Sequence, residues 1–238
     1  MKKLIATAAL FASMFTANAA FSMTVENQET LNSLKEGNAE FAATGNVEGL
    51  AAMSTVARRT EVAAGQHPKA IIVACADSRL SPEIIFNKGL GEVFVVRVAG
   101  NIVAPHELGS VEYAIEHLGA KLVMVLGHSK CGAVKATYEA AAANTARPGI
   151  VPQSAMKGNI GSLVKDISPA VNESFAAGVE SCIVTNVYNV VKEMEENSKI
   201  IKEGIELGEV DIVAAKYDLA SGLVDVLPAQ EHHEEHSH

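Results

Sequence analysis

The sequence predicts an α/β fold, a mostly parallel β-sheet flanked by helices, with an N-terminal helical arm and a C-terminal edge hairpin. Three observations predict it. Short β-branched runs occur at KAIIVACA (69–76), GEVFVVRVA (91–99), KLVMVLGH (121–128) and SCIVTNVY (181–188), none with apolar–polar alternation. Strands buried on both faces read this way, as they do in parallel sheets. Segments of helical character lie between these runs, and strands alternating with helices place the helices on the sheet. Finally, 210–227 reads as a strand, a turn at Ser221-Gly222 and a second strand, an antiparallel edge hairpin.

In chain order, Lys2 and Lys3 precede an apolar run from Leu4 to Phe15 and the small-residue pattern Ala17-Asn18-Ala19. This is the layout of a secretory signal peptide, expected to be cleaved after Ala19. The run is too short to cross a bilayer, and no later segment approaches the ~20 apolar residues of a membrane helix. The expectation is an exported, soluble protein, periplasmic in a Gram-negative cell. Residues 20–230 then form a single domain, since no repeat or low-complexity linker divides them. Residues 24–64 carry Val25, Leu31, Leu34 and Phe41 at helical spacing among charges and form the arm. Further helices are expected at 110–119, closed by Gly119, at the alanine-rich 132–144, and at 189–208. Residues 145–160, rich in Pro, Gly and Asn, are a loop. The tail 231–238, EHHEEHSH, is polar and holds four of the eight histidines. It is either a solvated tail or a weak scavenger of Zn²⁺.

Removing residues 1–19 changes the balance from 19 basic and 28 acidic side chains to 17 and 28, a net charge of −11. Such a surface repels nucleic acid and anionic lipid, so neither is expected as a partner. Three cysteines, Cys75, Cys131 and Cys182, are an odd count for an oxidising compartment. Either one disulfide exists, or the thiols serve a metal that shields them. Cys182 reads as a buried strand residue.

In open parallel sheets the ligand crevice lies beyond the carboxyl ends of the strands. The run ending at Ala76 delivers Cys75, Asp77 and Arg79, and the run ending at His128 delivers His128 and Cys131 at the start of a helix. Cys75, His128 and Cys131 make a Cys2His donor set, a recognised arrangement for one Zn²⁺ that leaves a fourth position open. Thiolate and imidazole favour zinc over magnesium or calcium. Asp77 either takes the fourth position or accepts a hydrogen bond from metal-bound water, and Arg79 can clamp it away from the metal.

The motifs CADSR and GHSKCGA together resemble the β-class carbonic anhydrases, whose C-x-D-x-R and H-x-x-C motifs bind zinc and form an Asp–Arg dyad. The resemblance runs from about residue 27 to 228, through FVVRVAGNIV, GSVEYAIEHLGAKLVMVLGHSKCGA, VTNVYNVV and AAKYDLASGLVDVL. It implies one zinc ion per chain on Cys75, His128 and Cys131, the dyad Asp77–Arg79, and reversible hydration of carbon dioxide to bicarbonate and a proton by zinc-bound hydroxide. It also implies a homodimer, or a higher oligomer built from dimers, whose N-terminal helices wrap the partner. Gln66, Phe94 and Tyr113 stand where the plant-like subgroup lines its carbon dioxide pocket, and Ala99 stands where a valine is frequent. With no tryptophan in the chain, the resemblance is to the constitutively open subgroup rather than the one with a bicarbonate-stabilised closed form. In three-histidine carbonic anhydrases, the reference case for the effect, zinc lowers the pKa of bound water to about 7. Two thiolates donate more charge and imply a somewhat higher value. His106 and His117 are candidates for proton export. The competing readings are a non-catalytic zinc-binding protein, and a relative that acts on another small linear molecule such as carbon disulfide.

Overall fold

A computed structural model describes residues 23–230. The proposed signal peptide and the histidine-rich tail lie outside the described residues. The elements are α1 (Val25–Thr44), α2 (Glu48–Ala52), α3 (Val56–Glu61), β1 (Ala70–Ala74), α4 (Pro82–Ile85), β2 (Val93–Arg97), α5 (Pro105–Leu118), β3 (Leu122–His128), α6 (Gly132–Ala142), α7 (Gly158–Ser174), α8 (Val179–Asn197), α9 (Lys199–Glu206), β4 (Asp211–Tyr217) and β5 (Val224–Val226). The strands form one sheet in the order β2-β1-β3-β4-β5. The first four are parallel and β5 pairs antiparallel to β4. The expected sheet, arm and edge hairpin are all present.

Burial on both faces accounts for the absence of alternation in the strand sequences. In β1 and β3, Ala70, Ile72, Ala74, Leu122, Met124 and Leu126 belong to one buried cluster, with Leu34, Val134, Ile167 and Val171 from the helices and Phe86 just after α4. The intervening Ile71, Val73, Val123 and Val125 belong to the other, with Val111, Ile115, Val187, Val190, Met194 and Ile201. Side chains alternate across a strand, so two covered faces require every residue to be apolar.

Local signals fix several boundaries. Thr24 caps α1 by accepting from Asn27 N at 3.1 Å. Gly45, at φ 68°, ends that helix. Gly119, at φ 74°, ends α5 as expected. That helix starts at Pro105 rather than Ser110, because Pro suits the first helical position and Glu107 reaches back to Ala104 N at 3.1 Å. The arm divides into α1, α2 and α3. Helix α1 lies on its own chain, where Asn27 Nδ2 donates to Asp211 Oδ2 at 2.6 Å and Asn38 Nδ2 to the Gly222 carbonyl at 2.8 Å.

The expected strand 181–188 is instead the first half of α8. Its β-branched residues favour a strand in isolation, but the positions buried in α8, Cys182, Ile183, Asn186, Val187, Val190 and Met194, recur at helical spacing against the sheet. Tertiary packing overrides the local preference, and Cys182 is buried in a helix. The expected helix 189–208 is broken at Ser198, whose hydroxyl caps α9 by accepting from Ile201 N at 3.2 Å. Helix α7 enters the expected loop at Gly158 and contains Pro169. Proline cannot bond the carbonyl four residues back, and Ser168 Oγ takes the Lys165 carbonyl instead at 2.8 Å.

Candidate metal centre

Strand β1 leads outward to β2 on one side, while β3 lies on its other side. Chain order therefore reverses between β1 and β3, and a crevice opens at their carboxyl ends. Ala74 pairs with Leu126 in this register, so Cys75 follows the end of β1 level with Gly127, and His128, the last residue of β3, lies one residue further on. After His128, Lys130 adopts φ 56° and turns the chain so that Cys131 is the N-cap of α6. The turn is anchored at both ends. Ser129 N donates to the Tyr217 carbonyl at 2.9 Å and Ser129 Oγ accepts from Leu219 N at 2.9 Å, while Lys130 N donates to Glu180 Oε1 at 3.0 Å.

The donor atoms of Cys75, His128 and Cys131 lie within 4.8 Å of one another, and all three residues are buried. That separation is about twice a zinc–thiolate bond of about 2.3 Å. His128 Nδ1 sits 3.0 Å from the Ser129 carbonyl, an acceptor, which places the ring proton on Nδ1. The lone pair on Nε2 then faces inward, and Nε2 is fully buried with no hydrogen-bond partner. An orphaned imidazole nitrogen beside two buried sulfurs fits a metal ion, which would satisfy all three. None of the three cysteines is in a disulfide, so the metal alternative of the two open ones is the one the geometry supports.

The thiols of Cys75 and Cys131 share a hydrogen bond. A hydrogen bond from Cys131 draws the Cys75 thiol far below its ordinary range against the opposing effect of burial, helped by His128 and by the Gly100 N–H at 3.2 Å from the sulfur. The same contact, with burial and the charge on Cys75, pushes Cys131 up. A divalent cation removes that conflict by balancing both thiolates.

Asp77 accepts from Arg79 three times, at Oδ1 from the backbone N (3.0 Å) and from Nε (2.9 Å), and at Oδ2 from Nη2 (2.7 Å). Those bonds, the Arg79 side chain foremost, hold the carboxyl well below the usual carboxylate range. Oδ2 also lies 3.9 Å from His128 Nε2. The carboxylate thus stands beside the donor set while clamped by the guanidinium, as the C-x-D-x-R spacing predicts.

Two supports escaped sequence reasoning. Arg97, the last residue of β2, donates to the Cys75 carbonyl at 3.0 Å and to the Asp77 carbonyl at 2.7 Å. Its available signal was a lone charge at the carboxyl end of an otherwise apolar strand. Asn186, buried in α8, donates to the Gly100 carbonyl at 2.8 Å, and assigning 181–188 to a strand concealed it. Gly100 itself is required: φ is 81°, and a Cβ would stand 2.6 Å from Ile167 Cδ1.

The structure brings Cys75, Asp77, Arg79, His128 and Cys131 together, with Ala99 adjoining Gly100. It does not bring Gln66, Phe94 and Tyr113 to the centre within one chain. Gln66 precedes β1, at the opposite end of the sheet. Phe94 lies three residues before Arg97 on the edge strand, roughly 10 Å back along it. Its ring meets Tyr113 at 6.5 Å between centroids, and Tyr113 meets His117 at 5.2 Å.

A buried Cys2His donor set at the switch point of an open parallel sheet, with a carboxylate alongside, is the kind of site that metal-dependent enzymes use. The comparisons narrow that class. The carbonic anhydrase family model matches residues 70–224. The carbonic anhydrase of Mycolicibacterium smegmatis is 36% identical over 196 residues, 81% of this chain and 89% of that protein. Carbonic anhydrase 2 of Mycobacterium tuberculosis is 38% identical over 192 residues, 79% and 87% of the two chains. Among solved structures, the Coccomyxa β-carbonic anhydrase in complex with acetazolamide superposes with a TM-score of 0.59 at 26% identity, covering 86% of this chain and 87% of that one. The Aspergillus fumigatus β-carbonic anhydrase CafA has the same fold, with a TM-score of 0.63 at 22% identity over 86% and 91% of the chains. The chain belongs to the β-class carbonic anhydrases, enzymes that interconvert carbon dioxide and bicarbonate.

Proposed function

We propose that the enzyme hydrates carbon dioxide reversibly with one Zn²⁺ per chain held by Cys75, His128 and Cys131, and that Asp77 and Arg79 are its catalytic dyad. The observation that carries this reading is the buried, unpartnered Nε2 of His128 beside two buried sulfurs and a clamped carboxylate. Bound there, zinc supplies a Lewis acid that makes a water molecule nucleophilic near neutral pH. Asp77, ionised and able only to accept, would orient the attacking water by accepting a hydrogen bond from it. Arg79 keeps the carboxylate ionised and off the metal, the arrangement of a site open without an effector. The absence of tryptophan in the chain supports the same open subgroup. Stopped-flow hydration of carbon dioxide by the zinc-loaded protein tests the reading. A rate no faster than the uncatalysed reaction, with zinc bound at one per chain, overturns it.

The working unit is a homodimer or a dimer-based oligomer. Strand β2 is a sheet edge whose Val93, Phe94 and Val95 are only partly covered, and Tyr113 remains 48% exposed. An uncovered apolar edge is a site for association. A second copy laid along it would bring Gln66, Phe94 and Tyr113 to the partner's centre, which one chain alone does not do. The solved β-carbonic anhydrases of Sordaria macrospora are tetrameric. The enzyme is exported to the periplasm after cleavage at Ala19, a reading supported by the charged, apolar and small-residue order of residues 1–19. Among the described residues no helix is long and apolar enough to cross a membrane.

A further inference from the structure

We propose that Arg97 is a positioning residue for the reaction, setting where the Asp77–Arg79 pair stands relative to the metal ligands; this rests on the reading of Cys75, His128 and Cys131 as those ligands. The segment 75–79 leaves the sheet just where β1 ends, and carbonyls there lose their ladder partners. Strand β2 continues the ladder briefly, through Val98 N to the Ala74 carbonyl at 3.1 Å and Ala76 N to the Val98 carbonyl at 3.3 Å. It then supplies Arg97, whose Nε and Nη2 donate to the carbonyls of Cys75 and Asp77. One planar guanidinium therefore binds two carbonyls, two residues apart, on the segment that carries a metal thiolate at one and the orienting carboxylate at the other.

The dyad cannot set this placement itself. Asp77 and Arg79 bond only two residues apart on the same turn, so the pair can move as a unit without breaking a bond. Leu80 N also donates to the Asp77 carbonyl, at 3.0 Å, but Leu80 belongs to that turn as well. The Ala76–Val98 bond holds the start of the segment, and Arg97 ties the turn that carries Asp77 to a different strand, so that it sets the 3.9 Å between Asp77 Oδ2 and His128 Nε2. Lysine cannot substitute, because an ammonium is a single point donor centre without the planar fork.

The test compares R97M and R97K with the wild type, each loaded with zinc for kinetics and with cobalt for visible spectroscopy. Both variants should keep one metal per chain, with kcat lowered about 10- to 100-fold, the usual cost of losing a group that orients metal-site residues. KM should change little. The cobalt absorption should shift in both variants as the carboxylate moves relative to the ion, and lysine should not rescue. Wild-type kcat with a wild-type cobalt spectrum in either variant overturns the proposal. So does loss of kcat in step with metal content and melting temperature, which marks a merely structural residue. If R97M does not fold, R97K decides on the same readouts. If the wild-type enzyme shows no hydration, the functional reading fails, while the cobalt spectra still report on Arg97.

Discussion

Asp77 has three donors from Arg79 and stands beside the Cys75–His128–Cys131 donor set, and these two facts divide its role. Its folded-state pKa lies below the unfolded value near 3.9. The pair's stabilisation is therefore present above that pH and is lost only as the pH falls through the folded value, far below working conditions. Arg79 is 55% exposed, so solvent screening keeps the stabilisation small, and the pair matters for orientation rather than for folding. Asp77→Asn should keep the metal but lower the hydration rate about 10²–10⁴-fold, because an amide can donate where only an acceptor orients the attacking oxygen. Arg79→Ala should be inactive for a different reason: the freed carboxylate becomes a metal ligand, which a crystal structure of the zinc-loaded variant should show. Metal analysis alongside stopped-flow rates checks both. Near-wild-type rates in both variants would reduce the dyad to a surface ion pair.

The contact between α8 and β3 shows what local sequence conceals. Gly127, the penultimate residue of β3, lies under Val187, where a Cβ would stand 2.5 Å from Val187 Cγ2. Valine is stiff about χ1 and this one is fully buried, so it cannot swing aside. Gly127→Ala should destabilise the protein by about 1–3 kcal/mol, and adding Val187→Ala should return part of that loss. Denaturant unfolding of the two single variants and the double variant gives the coupling, and strictly additive losses would show that the helix shifts freely. This interface also marks the limit of legibility. Strands 69–76 and 121–128 were readable because two-sided burial leaves a continuous apolar run, 91–99 because its half-covered edge is equally apolar, and the site because Cys75, Asp77, Arg79, His128 and Cys131 fall within two short motifs. The helix over 181–188 was not, since its β-branched residues follow what they pack against. Arg97 and Asn186 act through backbone carbonyls distant in sequence, and no residue pattern announces such a partner.

As a whole molecule, the chain leaves one sheet edge half-covered and three expected pocket residues away from its own metal centre. Sedimentation should give at least twice the mass of one mature chain, and Val95→Lys on β2 should yield a monomer that binds metal but hydrates poorly, since a lysine on an edge strand opposes pairing. A monomeric, fully active wild type would refute the dimeric site. Intact mass of the exported protein should place its first residue at Ala20, and retention of residues 1–19 would refute export by cleavage. The pairing of Ala74 with Leu126 has a further effect. A slip of β1 by one residue turns its own side chains to the opposite faces of the sheet and breaks the packing that seats Cys75. A slip by two carries it about 6.6 Å along the strand, farther than the 4.8 Å that spans the three donors. Only one alignment of the two strands brings the three donors together, so the choice of register and the closing of the donor set are a single event: a chain threaded one pair out would leave Cys75 and Cys131 with no shared partner.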